Sequence, residues 1–181
     1  SIEVYTKVAD AARPETLTAA IHEVVAELGT PDVLVYNVAI TEPDGDREIT
    51  SDLLLQRYQI DVASAYHCTN VVATEEFAAK KGVIIYTGGA SAKTYQPATN
   101  LKPLRMDKAA LNQMNNILHH LLLPRGIFVG SVLVGGAIRP GDVNNDPGQI
   151  AKLYWKMYVE RNEYEILSLS TDYDPQIIYT A

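Results

Sequence analysis

The chain has 181 residues, of which 15 are Lys or Arg and 22 are Asp or Glu, so its formal net charge is −7. This length fits one domain with its own hydrophobic core, and the acidic balance argues against nucleic acid or an anionic membrane as a partner. A single cysteine, Cys68, leaves no internal disulfide and favours a reducing, cytoplasmic setting, and no apolar run reaches the roughly 20 residues that a membrane helix needs.

The first part of the chain alternates between strand-like and helical patterns. Residues 2–8 alternate apolar and polar side chains, as a strand does. Pro14 suits the first turn of a helix, and apolar residues then recur at helical spacing until Gly29 and Pro31 end it. Residues 32–36 are almost wholly apolar, which indicates a strand buried on both faces.

The rest of the chain continues this alternation. One long helix is predicted over residues 51–81 and ends at Gly82, and a Gly-rich loop runs from 88 to about 105. The other predicted elements are strands at 83–87, 127–134 and 164–169 and helices at 106–123 and 150–158. Alternating strands and helices predict a doubly wound parallel sheet, with helices on both faces in an α/β/α arrangement. Ligands of such sheets bind at the carboxyl ends of the strands, so the loops after Tyr36, Thr87 and Val134 are candidate sites.

Five short strings at or near these loops, in this order and spacing, resemble the short-chain dehydrogenase/reductase family. Residues 32–39 are similar to the family's strand that ends in Asn-Asn-Ala-Gly, and residues 82–89 to its strand that leads to the catalytic Ser. The Lys-Ala-Ala-Leu string at 108–111 matches the start of the catalytic helix. Residues 59–62 and 132–135 correspond to the segment that carries an Asn and to the Ser-Pro-Gly loop. The resemblance implies a Rossmann-like domain over residues 1–181.

The resemblance also implies an oxidoreductase that uses NAD or NADP on a small carbonyl or alcohol substrate. In that family an Asn-Ser-Tyr-Lys tetrad carries the reaction, and a Lys four residues after the Tyr lowers the pKa of its hydroxyl. Only Lys108 matches literally, because Leu104 stands in the place of the Tyr, Gly89 in that of the Ser and Asp61 in that of the Asn. The candidate catalytic residues are therefore Lys108, Ser91 (a near substitute for the Ser) and Asp61. Tyr95, in the long loop, is the nearest tyrosine to the catalytic helix.

Cofactor-binding residues implied by the same resemblance lie at the strand ends. They are Asp10, matched to the acidic residue that contacts adenine, together with Asn37, Ala39, Lys108 and Gly135. The chain contains no G-x-G-x-x-G, the glycine pattern that places a pyrophosphate at a helix N-terminus. Since the family's first two strands would precede Ile2, we expect an N-terminally incomplete domain. Cofactor binding is then expected only if the missing segment exists in the full protein.

Several alternatives stay open at this stage. The chain is also consistent with a non-catalytic relative that serves as a cofactor-binding or oligomer-interface protein. Asn37 also fits a residue that satisfies backbone groups at a strand end, and Ser91 a turn residue. We expect Lys108 to form an ion pair with Asp61. We expect no metal site, and a homodimer or homotetramer built on the helices predicted at 51–81 and 106–123.

Overall fold

Four parallel strands form the central sheet of the computed structural model, which describes residues 2–95, 100–175 and 177–178. The strands are β1 (Val33–Tyr36), β2 (Val83–Gly89), β4 (Phe128–Gly135) and β5 (Glu165–Leu169), in the order β1-β2-β4-β5. A separate antiparallel pair joins β3 (Thr94–Tyr95) to β6 (Ile177–Ile178). The helices are α1 (Pro14–Leu28), α2 (Ser51–Tyr58), α3 (Ser64–Val72), α4 (Glu75–Ala79), α5 (Lys102–Leu122) and α6 (Pro147–Glu160).

Helices cover both faces of this sheet, because the inner strands are apolar on both sides. Ile84 and Tyr86 of β2 pack into one core with residues of α1, α3 and α5. Val83 and Ile85 of the same strand pack into a second core, against α6. The predicted doubly wound parallel sheet is therefore confirmed. No helix in the described part of the chain is long and apolar enough to cross a membrane.

The strand predicted at residues 2–8 is wrong. These residues have no regular secondary structure, and Ile2, Val4 and Val8 are all strongly exposed. Alternation alone does not make a strand, because a strand also needs a neighbour to satisfy its backbone groups. Within the described residues, β1 pairs with β2 alone, so its outer edge has no strand beside it.

The long helix predicted at residues 51–81 is three helices. A π-helical turn, Gln59–Ala63, separates α2 from α3. The chain leaves the helical conformation at Ala73, and the Thr74 hydroxyl then accepts a hydrogen bond from the Phe77 N–H to begin α4. A side-chain cap of this kind favours a new helix start. The helix predicted at 106–123 begins earlier, at Lys102, with Pro103 in its first turn. Residues 96–99 of the predicted loop lie outside the described residues.

Candidate functional site

A pocket of about 670 Å³ lies at the carboxyl ends of β1, β2 and β4, next to the N-terminal turns of α5. This is the position predicted for a parallel sheet. Five of the site residues predicted from the sequence line it together: Asn37, Ala39, Ser91, Lys108 and Gly135. Asp10 and Asp61 are not among its lining residues.

Lys108 of α5 is held against the end of β2. Its side chain is largely buried, and its ammonium Nζ donates a 2.6 Å hydrogen bond to the backbone oxygen of Thr87. Burial lowers the pKa of Lys108, and this effect is opposed by the negative charges of Asp61 and Asp107. The predicted ion pair is wrong, since no contact within 4 Å joins the Lys108 ammonium to the Asp61 carboxylate among the described residues. The main-chain oxygen of Thr87 satisfies the ammonium instead.

Gly89 leaves no space for the side chain that the resemblance expects there. A Cβ atom at this position would lie 2.8 Å from Cγ and 3.0 Å from Cβ of Lys108. The Lys108 Cβ is fixed by the backbone of α5, and its Cγ can move aside only if the lysine side chain adopts another rotamer. The stem of Lys108 thus occupies the space that a serine at 89 would need, whereas Ser91 is a lining residue of the pocket.

Asn37 is oriented by a chain of hydrogen bonds from the opposite face of the sheet. The Thr87 hydroxyl donates to Asn37 Oδ1 at 2.6 Å, and the same hydroxyl lies 2.6 Å from the Tyr154 hydroxyl of α6. Because the single hydrogen of Thr87 is directed to Asn37, Tyr154 must donate to Thr87. The Asn37 Oδ1 is thus used within the protein, and the amide nitrogen is the part of this pocket-lining side chain that can donate to a ligand.

Two acidic side chains lie behind Lys108, away from the pocket. Asp61 is fully buried and accepts a 3.0 Å hydrogen bond from the Ile40 N–H, and its Oδ2 has no hydrogen-bond partner in the part of the chain that the structure describes. Asp107 is also buried with an unpartnered Oδ2. Burial raises the pKa of both carboxyls, that of Asp107 to about 6, and the charge of Asp61 adds to the effect on Asp107.

The loop between β1 and α2 is held by hydrogen bonds to α2 and α5. Buried Arg57 of α2 donates to the backbone oxygens of Ile40 and Glu42, which fixes the loop against the helix. Asp44, farther along the loop, accepts a 3.0 Å hydrogen bond from the Lys102 N–H and forms a 2.8 Å ion pair with the Lys102 ammonium. Asp44 therefore caps α5 from a distant part of the sequence and fixes the end of that helix beside the pocket.

The structure gives Asp10 and Gly135 structural roles and places Tyr95 outside the pocket lining. The Asp10 carboxylate is exposed and accepts hydrogen bonds from the Ala12 N–H and the Arg13 side chain, so it forms a local turn. Tyr95 is half exposed in β3 and does not line the pocket. A Cβ atom at Gly135 would lie 2.6 Å from Ala90 Cβ, so packing alone requires glycine there.

Among the residues that sequence reasoning did not assign to the site, Thr87, Arg105 and Tyr173 line the pocket, and Asp107 is buried outside it. Arg105 had a signal, because it lies three residues before the matched Lys108, a helical spacing that puts the two side chains on one face. Asp107, one residue before Lys108, had no such signal. Tyr173 is far from every matched string and had none. Within the described residues, no three His, Cys, Asp or Glu side chains are grouped closely enough to hold a metal ion.

The fold of this chain is similar to the folds of known dehydrogenase structures. A short-chain dehydrogenase from Streptomyces avermitilis has a TM-score of 0.77 at 18% identity, over 92% of this chain and 70% of that one. An alcohol dehydrogenase from the archaeon Thermococcus sibiricus, complexed with 5-hydroxy-NADP, has a TM-score of 0.77 at 12% identity, over 96% and 77%. A 7α-hydroxysteroid dehydrogenase complexed with NADH has a TM-score of 0.76 at 18% identity, over 93% and 74%.

At these identities the structures show a shared fold. No curated protein sequence matches the chain. The family model for short chain dehydrogenases matches residues 1–145, which is most of the sequence. The chain therefore belongs to the short-chain dehydrogenase/reductase family.

Proposed function

We propose that the pocket binds the nicotinamide end of NAD or NADP together with a small carbonyl or alcohol substrate, and that the protein acts as an oxidoreductase. The observation that carries this proposal is Lys108, the one literal match to the family's tetrad. Its ammonium lies at the end of β2, in a pocket that Asn37 and Ala39 also line. A pocket of about 670 Å³ is within the usual size for a cofactor or small-molecule site.

The residues present fit the nicotinamide half of such a cofactor. Lys108 can donate to a ribose hydroxyl or to a substrate oxygen, and the amide nitrogen of Asn37 can donate to a carbonyl oxygen. Two proteins of similar fold hold 5-hydroxy-NADP and NADH. A bound nicotinamide would supply or accept the hydride. The pyrophosphate half has no glycine-rich turn in these 181 residues.

Proton transfer is where this site differs from its family. Leu104 lines the pocket one helical turn before Lys108 and has no proton to give. Burial lowers the pKa of Lys108, which makes its ammonium a stronger acid than a surface lysine. We propose that Lys108 Nζ holds the proton that a substrate oxygen needs. Turnover should nevertheless be slow, because Leu104 replaces the family's tyrosine, and a well-placed general acid typically contributes about 10²–10⁴-fold in rate.

Isothermal titration calorimetry of the full-length protein with NADH and with NADPH tests cofactor binding. Lys108→Met should weaken binding at least tenfold, since a charge-assisted hydrogen bond is lost. Lys152→Met, which removes the same charge from the surface of α6, should change nothing. Equal affinity of the parent and Lys108→Met for both cofactors would contradict the proposal.

The second candidate function is a non-catalytic, cofactor-binding relative. Leu104 and the filled space beside Gly89 favour it, because both leave the family's proton-transferring groups without a place. Leu104→Tyr distinguishes the two candidates. For a slow oxidoreductase, the variant should reduce a panel of aldehydes and ketones at least tenfold faster than the parent. Met106→Tyr, on an exposed part of α5, is the matched control. Cofactor binding without turnover in both the parent and Leu104→Tyr would favour the non-catalytic relative.

A further inference from the structure

Thr87, in β2, contacts two of the side chains that line the pocket. Its backbone oxygen accepts the hydrogen bond from the Lys108 ammonium, and its hydroxyl donates the one to Asn37 Oδ1. The sheet register explains the second contact: Tyr36 of β1 is the partner of Tyr86 in β2, so the next residue of each strand comes side by side with the other. A change in the Thr87 side chain therefore affects Asn37 but leaves the main-chain acceptor of Lys108 in place.

A tyrosine on the α6 face of the sheet contacts the same threonine hydroxyl. The Tyr154 side chain packs against the second core, and its hydroxyl lies 2.6 Å from that of Thr87. In the part of the chain that the structure describes, this is the one hydrogen bond of the Tyr154 hydroxyl. Burial raises the pKa of Tyr154, so the hydroxyl keeps its hydrogen at ordinary pH. That hydrogen has an acceptor within the described protein only when Tyr154 donates to Thr87.

The direction of these hydrogen bonds decides which end of the Asn37 amide is free. The amide oxygen and nitrogen have nearly the same shape, so hydrogen bonds rather than packing select one orientation of the side chain. In the reverse orientation the Asn37 nitrogen would donate to Thr87, and Thr87 would donate to Tyr154. The Tyr154 hydrogen would then have no acceptor among the described residues, which is unfavourable for a partly buried hydroxyl. Tyr154 thus favours the orientation in which the amide nitrogen is free.

We propose that Tyr154 and Thr87 are positioning residues of the pocket, which hold the Asn37 amide so that its nitrogen donates to an acceptor oxygen of the ligand. Tyr154 is not among the residues that line the pocket, so it acts through the Thr87 hydroxyl. This inference rests on the proposed function, of which it names the residues that set the hydrogen-bond polarity of the binding site. A carbonyl or carboxamide oxygen is accepted beside Asn37, and a ligand N–H is disfavoured there.

Binding of NADH to variants of the full-length protein, measured by calorimetry, tests the role of the Thr87 hydroxyl. Thr87→Val keeps the shape of the side chain and the main-chain acceptor of Lys108, but removes the hydroxyl. It should weaken binding about three- to tenfold, as the loss of one oriented hydrogen bond does. Thr87→Ser keeps the hydroxyl and should restore the affinity of the parent.

The role of Tyr154 is tested in the same assay. Tyr154→Phe should weaken binding by about twofold or more. It should add nothing to Thr87→Val in the double variant, because its effect passes through the Thr87 hydroxyl. Tyr158→Phe is the matched control: it removes a hydroxyl from the same helix, next to the same core, and should leave the affinity unchanged.

A second measurement needs no ligand. The side-chain amide of Asn37 gives proton–nitrogen correlation signals in NMR spectra, which Asn37→Asp identifies by removing them. These signals should shift in Thr87→Val and Tyr154→Phe and stay in place in Tyr158→Phe. Unshifted signals in Thr87→Val, additive losses in the double variant, or equal effects of Tyr154→Phe and Tyr158→Phe would overturn the inference. If the parent does not bind NADH, the proposed function is contradicted, and the amide signals alone decide this inference.

Discussion

At the scale of single residues, the close contact between Gly89 and Lys108 shows that the glycine at 89 and the position of the lysine depend on each other. The lysine stem lies where a Cβ atom at 89 would be. A serine therefore cannot be restored at 89 without displacing the one matched residue. The replacement at 89 and the position of Lys108 are one structural arrangement, and they have to be considered together.

Replacing Gly89 with Ala or Ser tests this arrangement. Both variants add the same Cβ atom at 2.8 Å from Lys108 Cγ, so both should lower the free energy of unfolding by about 1–3 kcal/mol, as overpacking does in a filled core. Urea unfolding measures the loss. Because the clash begins at Cβ, a tolerated alanine beside a destabilising serine would argue against this explanation.

The Asp107 carboxyl gives the protein a distinct pH dependence. Its pKa is raised to about 6 in the folded state, mainly by burial, against roughly 3.9 in an unfolded chain. Between these two values the folded protein keeps a proton that the unfolded chain has lost, so this group's contribution to stability falls as the pH rises from about 4 to 6. At neutral pH the ionised carboxylate is a buried charge that opposes folding.

Asp107→Asn should remove that penalty. The variant should be more stable than the parent by about 1–2 kcal/mol at pH 7.5, and the difference should disappear near pH 4. Chemical unfolding of both proteins across this range gives the comparison. Asp46→Asn, in an exposed loop, is the control and should show no such trend. If the variant were less stable than the parent at every pH, the carboxylate would have stabilising interactions that this structure does not show.

The sequence located the site residues better than it described their surroundings. Strand ends and family strings mark positions along the backbone, and five such residues line one pocket. Burial and charge pairing depend on what other segments bring near. This is why the expected ion pair of Lys108 with Asp61 was wrong, and why the unpartnered oxygen of Asp107 was not foreseen.

At the scale of elements, helix periodicity predicted where helices occur better than where they end. The apolar pattern over residues 51–81 runs through the break at Ala73 and Thr74, because α3 and α4 both contribute residues to the same core. Helix ends depend on individual caps. The cap of α5 is more distant still, since it comes from Asp44 in the loop after β1. No local pattern could have predicted that interaction.

The Thr74 cap is directly testable. Thr74→Ala removes the acceptor for the Phe77 N–H and should cost about 1 kcal/mol of stability, whereas Thr74→Ser keeps the hydroxyl and should cost much less. The midpoint of urea unfolding distinguishes the two variants. If both lose the same amount, the methyl group of Thr74 rather than its hydroxyl is what stabilises the start of α4.

At the scale of the whole molecule, the predicted self-association stays a prediction. Large apolar side chains are exposed on the helices expected at the interface, namely Leu55, Tyr58, Tyr66, Ile117 and Leu121. Isolated exposed apolar residues are normal, but several on neighbouring helices are typical of a surface that contacts another subunit. We therefore expect a dimer or tetramer.

Analytical ultracentrifugation of the parent and of Leu121→Glu provides the measurement. The parent should sediment as an oligomer at micromolar concentration, and the variant should dissociate at least tenfold more readily, because a charge would be buried without a partner. Leu28→Glu, on α1, is a control with similar exposure and should leave the mass unchanged. A strictly monomeric parent would contradict the prediction.

The outer edge of β1 bears on how these 181 residues, taken by themselves, would behave in concentrated solution. Val33 and Val35 are partly exposed along this edge, and no described strand hydrogen-bonds to it. Such an edge offers its peptide groups to any extended chain, which is how sheets nucleate aggregates. Two features limit this hazard: the strand is only four residues long, and the ion pair of Asp32 with Lys80 places charges where a foreign strand would begin. We expect this ion pair to matter for solubility during storage rather than for catalysis.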